Sequence, residues 1–290
     1  QAEDGIRDVR QMLEETRPTT FGELVRISGF SHGTNVWANN AQELIRDNIA
    51  DLSQAIATRD DIMNYLIQLG MEPETAFQIM ERVRKGRGLR EEDIQAMEQV
   101  GVPRWYLTSC KKISYLFPKA HAVAYVTMAF RIAYFKVHYP LAFYAAYFSV
   151  RADSFEVRLT SNGLAGVREI IQEITEKGNG ATAKEKSVLV VAEVVLEAML
   201  RGVIFQPVDI YQSHPTRFLI DGQSLVPPLS AVPGVGEAAA LTLAKARELA
   251  AFTSWEDIRQ RCGVSRTVLE TLASYGALQG LPETAQLSLF

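Results

Sequence analysis

The chain has 290 residues, 47% of them hydrophobic and 22% charged, which excludes the disordered and fibrous classes and leaves apolar side chain for two or three cores. A formal net charge of −4 gives no general attraction to nucleic acid, so any such affinity has to come from local basic patches. Cys110 and Cys262 stand far apart and outside any paired Cys/His spacing, which argues against a zinc site and for a reducing setting.

The N-terminus, "QAEDGIRDVRQML", has no initiator Met, basic n-region or apolar h-region. It reads as an internal start, not a signal peptide, as though the chain were cut from something longer. Residues 1–150 read as mostly helical, with apolar positions at helical spacing in "DDIMNYLIQLG", "PETAFQIMERVR" and "EEDIQAMEQVG" between Gly and Pro punctuation. The apolar stretch 121–150 is interrupted by Arg131, Lys136, His138 and Pro140, leaving runs shorter than the ~20 residues of a membrane span. The expectation is a long core helix broken at Pro140, and no membrane partner. Two further helices follow in "GLAGVREIIQEITEKG" and "AKEKSVLVVAEVVLEAMLRG"; the second is rich in valine, but its length and the closing Gly202 favour a helix.

The texture then changes. Short β-branched and aromatic runs between Val203 and Val232 flank an Asp221-Gly222 turn, the strongest hairpin signal in the chain, and predict a small β-element. After Pro227-Pro228 the sequence turns helical again through "GEAAALTLAKARELA", "SWEDIRQRC" and "SRTVLETLASYGAL", two helix-turn-helix units in tandem. The expected fold class is mainly α. A helical region covers 1–150, connecting helices and a small β-hairpin 151–228, a tandem helix-hairpin-helix domain 229–279, and a tether with a terminal peptide 280–290.

The sharpest local motif is "VPGVGEAAALTLAKAR". Gly234, Val235 and Gly236 enter a helix whose first N–H groups have no partner, and the two glycines remove the side chains that would block a phosphate. That is the helix-hairpin-helix pattern, which grips a nucleic-acid strand by its phosphates without reading bases, with Lys245 and Arg247 adding charge. The alternative is a plain turn whose glycines serve only packing. In the second unit, "RQRCGVSRTVLE", Gly263 turns the chain, Ser265 can cap the next helix, and Arg259, Arg261 and Arg266 cluster; one glycine in place of two implies a weaker grip.

In "SCKKISYLFPKAHAVAY", Pro118 suits the first helical position, which puts Lys119 and His121 in the first turn. Lys111 and Lys112 lie just upstream and Arg131 and Lys136 further down the same helix, a convergence that suits a polyphosphate unless it is simply a solvated basic face. In "RISGFSHGTNVW", Ser28, Ser31 and Thr34 alternate with Gly29 and Gly33 around His32. This reads as a turn offering hydrogen-bond donors and close backbone approach, although a lone His in a turn is more often structural. "VRKGRGL" reads as a phosphate-facing or solvated loop. No Asp-x-Asp pair, GxxxxGK[ST] loop, HExxH or carboxylate set spaced for two metal ions is present in the sequence. The chain ends in "QLSLF", an apolar terminus that must either fold back on its own helices or enter a partner's pockets.

Several stretches, "PTTFGELVRISGFSHGTNVW", "RDDIMNYLI", "CKKISYLFPKAHAVAYV", "RIAYFKVHYPLAFYAAYFSVRA" and "QLSLF", closely resemble the C-terminal part of the PolC-type alpha subunits of DNA polymerase III, replicative family C DNA polymerases. The resemblance runs nearly end to end; the first nine residues depart from it. It implies that residues 1–150 are a fingers region closing on the incoming dNTP, with Ser28, His32, Arg59, Lys111, Lys119, His121, Arg131 and Lys136 lining the nucleotide pocket. Arg59, Lys119 and His121 would hold the triphosphate for in-line attack by the primer 3′-hydroxyl. The family's catalytic aspartates, which hold two Mg²⁺, belong to a palm domain upstream, so no catalytic residue or metal ligand is expected here, and this polypeptide alone is not expected to polymerise DNA.

The resemblance further implies a duplex-binding domain for the primer–template, through Gly234, Val235, Gly236, Lys245, Arg247, Gly263, Ser265 and Arg266, with the β-element as a spacer or packing element. It makes Gln286, Leu287, Ser288, Leu289 and Phe290 a peptide for the sliding clamp (the beta subunit). Other replisome subunits and a cytoplasmic, nucleoid location follow from the same source. The rival reading, a stand-alone accessory module that binds duplex DNA and clamp with no nucleotide site, leaves 26–37 and 110–136 without a purpose. A helical scaffold using only packing glycines would bind no DNA at all.

Overall fold

The computed structural model describes residues 2–151 and 154–284. The chain divides into two compact units, Gln1–Arg131 and Ile132–Phe290. The expected mainly α class is borne out.

The first unit contains α1 (Ala2–Thr16), α2 (Phe21–His32), α3 (Gln42–Arg46), α4 (Arg59–Gln68), α5 (Pro73–Arg84), α6 (Glu91–Gln99), α7 (Arg104–Lys112) and the first part of α8 (Lys119–His138). Local chemistry sets several of these ends. Thr20 caps α2 by accepting from the Glu23 N–H while the Glu23 carboxylate accepts from the Thr20 N–H. Pro73 opens α5 at a position whose N–H would have no partner, and Gly70 (φ +94°) ends α4. Ile27, Phe30, Ile62, Leu66, Ile79, Val83, Met97 and Leu116 form the core. Between α2 and α3 the chain kinks at Asn39 (φ 57°), and buried Asn40 fixes the kink by accepting from the Ser109 hydroxyl at 2.7 Å.

Two expectations fail in this unit. The segment 28–34 is not a turn up to His32: the Thr20 cap and the buried Ile27 and Phe30 carry α2 through "SGFSH". Nor do its glycines open space for a ligand, because a Cβ on Gly29 would sit 2.6 Å from the Ala57 carbonyl oxygen and one on Gly33 2.3 Å from a Val36 methyl. They let the chain pack against itself.

The second unit continues through α9 (Pro140–Val150), α10 (Arg158–Ser161), α11 (Gly163–Lys177) and α12 (Ala183–Leu200). A three-stranded sheet follows, in the order β1 (Ile204–Phe205), β3 (Ser224–Val226), β2 (Leu219–Asp221), with β1 parallel and β2 antiparallel to β3. The expected hairpin is present, but Asp221 pairs with Ser224, so the turn residues are Gly222 (φ +57°) and Gln223, one position later than expected. Then come α13 (Glu237–Leu249), α14 (Trp255–Cys262) and α15 (Arg266–Ser274). Phe148 of α9 meets Phe155 and Phe218 at ring-centroid distances of 5.4 and 5.5 Å, joining helix to sheet. One apolar core runs from Tyr144 to Leu278, so connecting helices, sheet and tandem hairpins fold around the same centre.

The helix break at Pro140 is where the sequence puts it, yet α8 is not a core helix. Ala122 is its only buried residue, while Tyr125, Phe130, Phe135 and Val137 are 53–65% exposed. Its apolar side chains run all round the helix and not along one stripe, so no single neighbour can cover them. Among the described residues no helix is long and apolar enough to cross a membrane.

Candidate functional site

In the first unit the segment Ile113–Pro118 is a seam that draws separate elements together. The Tyr115 carbonyl accepts from the Thr34 N–H at 3.0 Å, the Arg84 carbonyl from the Leu116 N–H at 3.2 Å, and the Phe117 carbonyl from the Arg59 N–H at 3.1 Å. Asp60 then accepts from the Lys119 N–H at 2.6 Å. Two helix starts, that of α4 at Arg59 and that of α8 at Lys119, are thereby fixed beside each other.

Around this seam lies an aromatic face. Phe117 stacks on His121 at 5.2 Å, His121 meets Tyr125 at 4.6 Å, and His32 approaches Phe117 at 5.7 Å and Tyr125 at 6.2 Å. His32 Nδ1 donates to the Ser28 carbonyl at 2.9 Å, which leaves Nε2 as the ring's acceptor in the neutral form; Ser28 serves here through its backbone. The Arg59 guanidinium lies 3.9 Å from both Asp60 and Glu81. Glu81 is held down to about 2 by Arg84 and Lys85, so it stays a carboxylate across the physiological range.

Ser28, His32, Arg59, Lys119 and His121 therefore share one region, whereas the wider convergence expected between Lys111 and Lys136 does not occur. Arg131 is twelve residues along α8 from Lys119, about 18 Å at helical rise. Lys136 donates to Glu197 at 2.7 Å within the second unit. Lys111 is an exposed residue at the end of α7, and the adjacent Lys112 is tied to the Asn39 carbonyl and Glu43. A helix spreads its residues along an axis, so cations close in sequence need not be close to one ligand. The residues missed in the sequence are Phe117 and Tyr125, whose spacing of four on either side of His121 was the available signal.

In the second unit the first hairpin turn is built on Val235, buried at 3% exposure, whose N–H donates to the Val232 carbonyl at 3.0 Å. Gly234 has φ +82°, and Gly236 caps α13 with no side-chain hydrogen bond. A Cβ on Gly234 would meet nothing nearer than a Val268 methyl at 3.8 Å, and one on Gly236 nothing within 4 Å. Packing therefore does not explain these glycines: the first is needed for its backbone angle, and the second leaves open space beside a helix start that no side chain caps. Gly263 ends α14 in the left-handed region (φ 67°), and Ser265 caps α15 by accepting from the Val268 N–H at 3.3 Å, both as the sequence implies.

The cations separate into two groups. Arg247 donates to the Ile210 carbonyl at 2.5 Å and is half-buried, and desolvation lowers its pKa. Arg261 donates to the Ala246 and Ala250 carbonyls at the end of α13 and lies over the Phe252 ring at 4.6 Å. Both hold the fold from inside, which removes Arg247 from the expected phosphate contacts and Arg261 from the expected cluster. Lys245 is exposed, and Arg266 is exposed and paired with Glu270 at 2.9 Å.

Gln286–Phe290, expected to be a clamp-binding peptide, lie outside the described residues. The stretch before them is not a free tether, because the Pro282 and Glu283 carbonyls accept from the Trp255 and Glu256 N–H groups at 3.0 and 3.1 Å. Among the described residues no three His, Cys, Asp or Glu side chains converge to hold a metal ion.

Residues 5–101 match the family described as the bacterial DNA polymerase III alpha subunit finger domain, and residues 202–287 match the helix-hairpin-helix motif family. Over 288 residues, 99% of this chain, it is 58% identical to a DNA polymerase III PolC-type protein of Caldanaerobacter subterraneus subsp. tengcongensis. The corresponding proteins of Bacillus subtilis and Listeria monocytogenes are 56% and 54% identical over the same share. The chain spans 20–21% of the length of these relatives. With a finger domain and a helix-hairpin-helix motif in that order, and more than half of its residues shared along almost its whole length, the chain belongs to the PolC-type DNA polymerase III family.

Proposed function

We propose that the chain serves DNA-directed DNA synthesis as the part of a bacterial replicative polymerase that binds the incoming dNTP, grips the primer–template duplex and reaches for the sliding clamp. The observation that carries the reading is the hairpin at Gly234–Gly236: two glycines with room for a side chain beside each lead into a helix whose start has no side-chain cap, which suits a phosphate backbone. Exposed Lys245, about 14 Å along α13 from Gly236 at helical rise, and exposed Arg266 at the start of α15 add positive charge, so duplex binding is sequence-blind and salt-sensitive.

On the first unit, the aromatic and cationic face of His32, Arg59, Phe117, Lys119 and His121 suits a nucleoside triphosphate, with the rings against the base or sugar and the cations on the phosphates. Arg59 has to leave its carboxylate neighbours or share them through a cation. Mg²⁺ in the whole enzyme would neutralise the triphosphate and polarise its phosphorus. The described residues offer it no ligand set, so every role assigned here is one of binding and positioning. A cytoplasmic location on the nucleoid, with the other replisome subunits as partners, goes with this reading.

Titrating a dNTP into the chain, with and without primer–template, tests the nucleotide face. Binding that is lost in Arg59→Ala or Lys119→Ala supports it; binding untouched by both substitutions overturns it. For the hairpins, duplex affinity must fall steeply between ~50 and ~200 mM salt, and a flat response would remove them from the interface.

A further inference from the structure

A cleft of about 310 Å³ opens in the first unit, lined by Arg26, Asn64, Tyr65, Gln68, Trp105 and Lys119 among others. Its size is at the low end for ligand sites, room for one small molecule and not for a strand. Tyr65 lies against Tyr106 with ring centroids 4.6 Å apart and Trp105 meets the same ring at 5.4 Å, making an aromatic wall. Arg26 and Asp61 neutralise each other at 3.1 Å, which leaves exposed Lys119 as the cation at the rim. Tyr106 also lines the cleft, and its buried hydroxyl has no hydrogen-bond partner among the described residues. Burial holds that phenol well above its ordinary range, so it remains an O–H donor at any physiological pH.

We propose that this cleft binds a single nucleotide unit, its base on the Tyr65–Trp105 wall and its phosphate toward Lys119, with the Tyr106 hydroxyl donating to the ligand. An aromatic wall flanked by the amides of Asn64 and Gln68 offers a planar heterocycle both stacking and paired donors and acceptors, and the ammonium selects for phosphate. The inference rests on the nucleotide-handling reading above and shares Lys119 with it, while Tyr65, Trp105 and Tyr106 line this cleft and have no part in the triphosphate face. The source is either a free nucleotide or an unpaired nucleotide of a single strand.

The test is calorimetric titration of the 290-residue chain with dAMP, with a short single-stranded oligonucleotide and with inorganic phosphate. Saturable dAMP binding that weakens about 2- to 12-fold in Tyr106→Phe, which removes only the hydroxyl, supports the site. A strand that binds more tightly than dAMP with the same loss assigns the cleft to an unpaired strand nucleotide; dAMP binding alone assigns it to a free one. Equal binding of inorganic phosphate and dAMP, or full affinity in Tyr106→Phe, overturns the proposal. His121→Ala separates this cleft from the triphosphate face, since it should lower dNTP affinity and leave dAMP binding intact.

Discussion

Substituting Gly236 by Ala separates what the hairpin does for the fold from what it does for DNA. At φ −69° and ψ 163° an L residue is unstrained, and the new methyl meets nothing within 4 Å. Losing glycine's flexibility in the unfolded chain stabilises by about 0.4–1 kcal/mol, while Ala is a poorer N-cap than Gly by roughly 0.5–1 kcal/mol. The two nearly cancel, so stability should stay within about 0.5 kcal/mol and the melting temperature within about 2 °C. On the proposed reading, however, the methyl would occupy space beside the first-turn N–H groups that a phosphate needs. Displacing one charge-assisted hydrogen bond costs about 1.5–3 kcal/mol, so duplex affinity should fall about 10- to 140-fold at constant salt. Fluorescence anisotropy with a labelled duplex, beside a thermal melt, gives both numbers. An intact fold with unchanged duplex affinity would refute the assignment of this turn to the phosphate backbone.

The two arginines of the second hairpin should behave oppositely. Arg261→Ala removes the carbonyl contacts at the end of α13 and the contact with Phe252, and should destabilise by about 2–4 kcal/mol in urea unfolding; Arg266→Ala should change stability by less than about 0.5 kcal/mol yet weaken duplex binding and reduce its salt slope by about 1. Deleting Gln286–Phe290 should abolish clamp association in a pull-down and leave duplex affinity unchanged, since Leu281–Glu283 stay bonded to α14; equal loss of both would end that division of labour. Glu81 has a pKa lowered from 4.5 to about 2 by Arg84 and Lys85, so its contribution is fully present above about pH 4.5 and is lost as pH falls towards 2. Melts of Glu81→Gln against the parent chain should differ above pH 4.5 and converge as pH drops to 2; a gap that stays constant would place the effect elsewhere.

Much of the molecule was legible in the sequence because it is local. Helix starts at Thr20, Pro73 and Ser265, the break before Pro140, the left-handed Gly263 and the α11–α12 pair are each written in a few neighbouring residues whose preferred backbone angles agree with the fold. The sequence of hydrophobic spacing and turn residues likewise determined the mainly α class and the glycine turn at Gly234–Gly236. Which polar group faces which way was decided by packing between distant segments. The Phe117 seam put Arg59 beside Lys119, the need to close α13 turned Arg261 inward, and the Ile210 carbonyl claimed Arg247, although in sequence these arginines look no different from exposed Arg266. Gly29 and Gly236 also read alike as letters, yet one is pressed against the Ala57 carbonyl and the other opens outward. A residue type fixes what chemistry is available, but a charge or a glycine becomes a site only when the rest of the chain leaves it uncovered.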